Sequence, residues 1–290
     1  MLWKTFSQLT MVEQSLFGLP WAFAAALIPF IDETLVCRNR PMLWLVMIAG
    51  FIAARTAGMS FNRLIDKEID AANPRAKDRA LPRGEISVAQ VKMLAWLNVA
   101  AFVVCCGFMN ALCLGLAPLA VCLLWAYSYT KRFTALCHLV LGCVHGFCVI
   151  FAWAAITGTV TIATFFLAAA AMASIAGMDI IYALLDWNFD KHAGLHSIPV
   201  FLGLKRSVLV ARTLHLLAIV CLIKVAMIVH AGLLFYLGIG VISATYAMYH
   251  RRLDIDHMTN VNKTFFYCNT VVGVMLLIST VGALIWKTLS

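Results

Sequence analysis

The sequence predicts an all-α fold, a polytopic membrane helical bundle of about nine transmembrane helices in two pseudo-repeats, and three observations carry that prediction. First, 63% of the 290 residues are hydrophobic and only 12% are charged; a water-soluble domain of this size cannot hide so much apolar surface. Second, the apolar residues gather into runs of roughly 20, the length a helix needs to cross the hydrocarbon layer. Third, the bases are sorted between alternate connections, as they are when cytoplasmic loops retain Lys and Arg.

In chain order the predicted spans are 15–31, 42–61, 91–109, 111–129, 136–157, 161–182, 207–229, 231–249 and 265–286. The opening twenty residues, "MLWKTFSQLTMVEQSLFGLP", hold one early Lys but no short apolar core followed by a small-residue cleavage site. The first run therefore reads as a retained helix rather than a cleaved leader. The chain reads as one membrane-embedded domain, 1–290, with its first acidic motif at 62–84 and its second at 179–199.

With a cytoplasmic N-terminus, fifteen Lys and Arg fall on inner segments, against four (Arg38, Arg40, Lys224 and Lys287) on outer ones. That asymmetry accounts for much of the net charge of +9. The charge is then no argument for nucleic acid as a partner, and it suits anionic lipid or a phosphorylated substrate. The ten cysteines are scattered, several inside apolar runs and none as C-x-x-C. They read as small buried thiols without a metal or disulfide role.

Charge is concentrated in "FNRLIDKEIDAANPRAKDRALPRGEIS", residues 61–87. Asn62, Asp66 and Asp70 recur every four residues there, which places them on one helical face. A second cluster, "GMDIIYALLDWNFDKHAGLHSIP" at 177–199, puts Asp179, Asp186 and Asp190 at spacings of seven and four with Tyr182 alongside, and Gly194 ends that helix. Asp66 and Asp186 lie 120 residues and four spans apart, so the two acidic faces belong at the same membrane side and imply one shared site. Carboxylates crowded around one cavity repel: a like-charge pair 4 Å apart costs about 4 kcal/mol at an effective dielectric near 20. They call for cations, and an all-oxygen donor set of this kind suits Mg²⁺ together with substrate phosphates. Arg75, Lys77, Arg79 and Arg83 lie between the clusters, Lys131 and Arg132 end the fourth span, and Lys191 adjoins Asp190. Acids and bases at one mouth describe a site for Mg²⁺ on a polyanion, most simply a diphosphate.

Other polar residues take plainer readings. Lys67, Lys77 and Arg83 serve as topology signals, while Glu68 and Asp78 are off the face and exposed. His192 and His196 have metal-like spacing but straddle Gly194, so they read as loop histidines; His138 and His145 make ordinary polar contacts within the bundle.

These residues resemble the UbiA-type membrane prenyltransferases, which join a polyprenyl diphosphate to an aromatic acceptor. The likeness runs from about residue 16 to 210. The family's N-x-x-x-D-x-x-x-D is matched by Asn62, Asp66 and Asp70, followed by Arg75 and Arg79 in "NPRAKDRALPRG". Its D-x-x-Y-A-x-x-D-x-x-x-D is matched by "DIIYALLDWNFD", and its Y-P-x-x-K-R-x-T by "YSYTKRFT", which supplies Tyr127, Lys131 and Arg132. Arg63 stands where many relatives have a second Asp, Ala76 where many have Thr, and Ser128 where many have Pro. The wording is similar to proteins named 4-hydroxybenzoate polyprenyltransferases, some of which serve a menaquinone route with a dihydroxynaphthoate acceptor.

The resemblance implies a Mg²⁺-dependent aromatic polyprenyltransferase of ubiquinone or menaquinone biosynthesis. Its metal residues are then Asn62, Asp66, Asp70, Asp186 and Asp190, the four aspartates being catalytic. Its diphosphate-binding residues are Arg75, Arg79, Lys131, Arg132 and Lys191. Arg55 in "RTAG", Tyr182, Asp179 and Asn62 serve the acceptor or the carbocation, with Arg55 paired to the acceptor carboxylate. The expected partners are polyprenyl diphosphate, an aromatic acid and membrane lipid, in a bacterial inner membrane with the N-terminus and site mouth on the cytoplasmic side. The alternatives are the same chemistry on a haem-type or chlorophyll-type acceptor, and an ion-coupled transporter. Transport sites lie nearer the bilayer midplane than these clusters do. Acceptor, chain length, pathway and oligomeric state stay open.

Overall fold

The computed structural model describes residues 15–255, 257–258 and 260–289. The expectations for Lys4 and for the segment before residue 15 lie outside the described residues. Every regular element described is helical. The α-helices are α1 Ser15–Leu27, α2 Pro41–Ile65, α3 Lys67–Ala72, α4 Val88–Met109, α5 Ala111–Thr130, α6 Cys137–Thr157, α7 Ile162–Ala183, α8 Trp187–His192, α9 Ile198–Leu202, α10 Leu204–Ile228, α11 Leu233–Arg252 and α12 Val261–Leu289.

All nine expected spans are helices, with ends displaced by four residues at most. Eight helices among the described residues are long and apolar enough to cross a membrane. The ninth, α1, has 13 residues, about 20 Å at 1.5 Å per residue, and a 3-10 turn, Ile28–Phe30, extends it. The protein is an integral membrane protein. Its large exposed side chains, such as Trp96, Phe108, Leu216, Leu237 and Trp286, sit where lipid is the solvent and apolar exposure carries no penalty.

The chain forms two compact units. The first comprises residues 40–130 and Ser15, and in it α2 packs on both α4 and α5. Ala57 and Phe61 of α2 meet Ala95 of α4 in a dry seam lined by Leu64, Ile65 and Val99. The long connection after α3 is no loose loop. Leu81 is buried against Val91, with Leu64, Ile86, Val88 and Leu94 around them. A capping box then starts α4: Ser87 N–H donates to Gln90 Oε1 at 2.9 Å, and Gln90 N–H to Ser87 Oγ at 3.2 Å.

The second unit comprises 16–39 and 131–290, and α7 is its axis, packed on α6, α10 and α12. Small residues allow this. Gly142 and Gly146 of α6 face α7 so closely that a Cβ on Gly142 would lie 2.5 Å from Met172 O; such glycines at i, i+4 let lipid-embedded helices touch backbone to backbone. On the other side, a Cβ on Gly177 would lie 2.6 Å from the His215 ring of α10. That ring stacks on Tyr246 of α11 at 4.2 Å, its Nδ1 lies 2.8 Å from His250 Nε2, and the Tyr246 and Ser174 hydroxyls share a 2.7 Å bond. The segment 16–39 is bound to α12: Phe17 meets Phe265 edge-on at 5.6 Å, and Lys287 Nζ donates to Ile31 O at 2.8 Å and lies 3.3 Å from Glu33.

Candidate active site

The two acidic motifs are built alike. In each, a long apolar helix reaches an aspartate, the backbone breaks there, and a helix of six residues carries the next aspartate onward. Asp66 has φ −91° and ψ 8°, and Asp186 has φ −101° and ψ 1°, both in the sparsely populated bridge region between helix and strand. The single continuous helical face expected from the spacing is therefore interrupted once in each motif. The four-residue hydrogen-bond rhythm survives the break in the first motif, since Asp66 N–H donates to Asn62 O at 2.9 Å and Asp70 N–H to Asp66 O at 2.7 Å.

In the first unit, Asn62 Nδ2 donates to Asp66 Oδ2 at 2.8 Å. Asp70 is buried, and Arg79 Nη1 donates to its Oδ1 at 2.6 Å. Arg79 is aimed there because its neighbours Ala76, Ala80 and Leu81 are buried, while the Asn73 side chain accepts from Arg75 N–H at 2.9 Å to start the turn. Arg63, 3% exposed, completes the group: its Nη1 lies 3.6 Å from Asp70 Oδ2 and donates to Asn62 Oδ1 at 3.4 Å. Arg75 and Lys77 are exposed, as are Glu68 and Asp78. Arg55 is half-buried on α2, two turns before Asn62.

In the second unit, Asp190 is fully buried and Lys131 Nζ lies 2.9 Å from its Oδ1. Burial opposes the charge on Lys131, but the Asp190 carboxylate outweighs it, so the ammonium holds its proton more firmly than an ordinary lysine. Beyond α8 the expected stop is present: Gly194 adopts φ +67°, and Leu195 N–H reaches back to Asp190 O at 2.9 Å, the 6→1 bond of a Schellman cap. The connection before α6 is tied to this motif, with His196 N–H donating to Lys131 O at 2.8 Å, Cys137 Sγ 3.6 Å from His196 O and His138 Nδ1 2.7 Å from Asp179 Oδ2. Tyr182 packs its ring on Phe265 at 4.4 Å. Lys191 is exposed and lies over the Trp187 ring at 5.2 Å, so it is Lys131, not its neighbour Lys191, that pairs with Asp190. Arg132 and Asp186 lie on the same unit, exposed and half-buried respectively. His192 is the last residue of α8 rather than a loop residue, and its Nδ1 lies 2.7 Å from Asn188 O.

Sequence reasoning missed two residues. Arg63 registered only as a departure from the family pattern and as an inner base, yet a guanidinium in the last turn of an apolar helix needs a carboxylate, and Asp70 stands seven residues on. His138 registered as an ordinary bundle histidine, and no local signal ties it to Asp179, 41 residues away.

The donor set fits Mg²⁺. Asp190 Oδ2 is a buried carboxylate oxygen with no hydrogen-bond partner among the described residues. Among the described residues no three His, Cys, Asp or Glu side chains converge as ready-made metal ligands.

Comparison with known proteins accords with this construction. The model of the UbiA prenyltransferase family matches residues 15–271. A 4-hydroxybenzoate octaprenyltransferase of Shewanella halifaxensis is 28% identical over 238 residues, 82% of each chain. The apo structure of a UbiA homolog from Aeropyrum pernix K1 superposes with a TM-score of 0.82 at 26% identity, over 96% of this chain and 98% of that one. A UbiA homolog from Archaeoglobus fulgidus bound to DMAPP and Mg²⁺ shares the fold, with a TM-score of 0.78 at 17% identity over 97% and 99% of the two chains. On the extent of the family match and the order of its motifs, this chain belongs to the UbiA prenyltransferase family.

Proposed function

We propose that this prenyltransferase moves a polyprenyl group from its diphosphate to an aromatic carboxylic acid, 4-hydroxybenzoate or a dihydroxynaphthoate, in making ubiquinone or menaquinone. One observation carries the reading: two motifs of matching backbone each bury an aspartate against a base, Asp70 with Arg79 and Asp190 with Lys131. The substrate classes are supported by the relatives named 4-hydroxybenzoate octaprenyltransferase, and the metal by the DMAPP- and Mg²⁺-bound homolog.

Asp66, Asp70, Asp186 and Asp190, helped by Asn62, would hold Mg²⁺, which would supply positive charge to the diphosphate oxygens. Arg75, Arg79, Lys131, Arg132 and Lys191 bind the same anion and offset the charge that grows as the allylic C–O bond breaks. Tyr182 turns its ring toward the carbocation, and the apolar surround keeps water from capturing it before the acceptor ring does. Arg55, about 10 Å deeper along α2 than Asn62, pairs with the acceptor carboxylate. In Arg55→Ala the acceptor KM rises about 100-fold while the prenyl diphosphate KM stays within about two-fold; equal rises in both constants would remove Arg55 from the acceptor site. The active-site mouth and the N-terminus face the cytoplasm across a bacterial inner membrane.

The test is purified protein in detergent with Mg²⁺, a series of polyprenyl diphosphates, and 4-hydroxybenzoate against 1,4-dihydroxy-6-naphthoate, read by mass spectrometry. A prenylated acid with diphosphate released in step is the expected result. Consumption of no prenyl diphosphate with either acid overturns the reading.

A further inference from the structure

The buried His138 and the half-buried Asp179 are not used by the steps above, and their geometry is that of a proton acceptor held in place. His138 is 3% exposed, on the first turn of α6, and its Nδ1 lies 2.7 Å from Asp179 Oδ2. Its Nε2 is buried with no hydrogen-bond partner among the described residues. An N–H on Nδ1 given to Asp179 is the bond that fixes both the ring and the carboxylate. Asp179 is then a carboxylate with one oxygen fixed by a donor. The side chain keeps 26% of its surface open, and Oδ1 is the oxygen that His138 does not engage. Asp179 lies on α7, seven residues before Asp186 at the backbone break.

We propose that Asp179 is the base that takes the ring proton of the acceptor, and that His138 is the positioning residue that keeps its carboxylate ionised and turned. This inference rests on the aromatic-acceptor reading and deepens it. The C1–O bond of the prenyl diphosphate breaks with its electron pair going to oxygen. A π pair of the acceptor ring forms the new bond to C1 and leaves a cationic ring that still carries hydrogen at the substituted carbon. That C–H bond then breaks, its pair restores aromaticity, and the proton passes to Asp179 Oδ1. The products are prenylated acid, diphosphate and a protonated carboxyl that returns its proton to water. An aspartate suits the task because a cationic ring is a strong acid and needs a placed acceptor rather than a strong base.

The experiment compares ring-deuterated with ordinary 4-hydroxybenzoate in the wild type and in Asp179→Asn, His138→Ala and His138→Asn. With the base in place proton loss follows the slow step, so the wild type shows no isotope effect. Asp179→Asn and His138→Ala make proton loss slow, and deuterium then lowers their rate by about two-fold or more. Asn at 138 places an amide N–H near the position of Nδ1 and returns the effect toward unity. For a variant too slow to form product, prenyl diphosphate still consumed to prenol shows the cation forming without proton loss and supports the assignment. The proposal falls if Asp179→Asn and His138→Ala turn over slowly without an isotope effect, if His138→Asn behaves as His138→Ala, or if Asp179→Asn consumes no prenyl diphosphate while remaining folded by thermal melting. A wild type that releases diphosphate yet prenylates no aromatic acid rejects the acceptor reading itself, a result separate from all of these.

Discussion

At the scale of single residues, the proposed chemistry draws on two carboxylates that are buried against bases, Asp70 and Asp190. Asp190 is the clearest case, since its only ion pair among the described residues is with Lys131. Lys131→Met leaves that carboxylate buried without its cation, a loss of about 3–5 kcal/mol, visible as a lowered melting temperature in detergent. The sign of the pH dependence follows from the direction of the Lys131 shift. The folded-state pKa lies above the unfolded one, so this contribution is fully present below the ordinary lysine range of about 10.4 and is lost only as pH rises through the higher folded value. Between about pH 6 and pH 9 this contribution to the wild type is therefore flat. Asp66 and Asp186 stand at the backbone breaks, and their loss bears on turnover rather than folding. Asp66→Asn and Asp186→Asn each lower kcat by more than about 100-fold while the protein still inserts and runs as a single species on size exclusion. Turnover near the wild-type rate removes them from the metal site.

The helices show what was legible in the sequence and what was not. Hydrophobic run length located every span because lipid rewards an unbroken apolar stretch and nothing else. The break at Asp66 was invisible, because residues four apart keep their hydrogen bonds on either side of it and periodicity does not register the change of direction. Asp190 and Asp70 could be chosen as candidate site residues from their spacing, whereas which base pairs with each could not. Lys131 lies 59 residues before Asp190, and only the folded path of the chain brings Lys131 rather than Lys191 to it. Helix contacts, too, turned on residues that carry no charge. Gly177 is the narrow point between α7 and α10, where a Cβ meets both the His215 ring and, at 3.1 Å, Ala211 O. Gly177→Leu forces these helices apart and costs about 1–3 kcal/mol, read by thermal unfolding in detergent. Gly107→Leu, with nothing within 4 Å of its Cβ position, does not.

For the molecule as a whole, the unequal sharing of bases between connections is the ground of the proposed orientation. In Lys77→Cys, on the exposed part of the first motif's loop, a membrane-impermeant maleimide reacts in inverted inner-membrane vesicles and not in intact cells, judged against a background with the ten native cysteines replaced. Labelling from the outside inverts the assigned topology. The order of assembly follows from a different feature, the fastening of segment 16–39 to α12. Lys287 and its acceptor at Ile31 are 256 positions apart, and ribosomes add about 5–20 residues per second. The segment 16–39 therefore spends roughly 13–50 s in the bilayer before the helix it binds exists. The unit it belongs to closes last, after the intervening unit, residues 40–130, is already made, so a transcript cut short before α12 yields a protein whose opening helix has nowhere to dock.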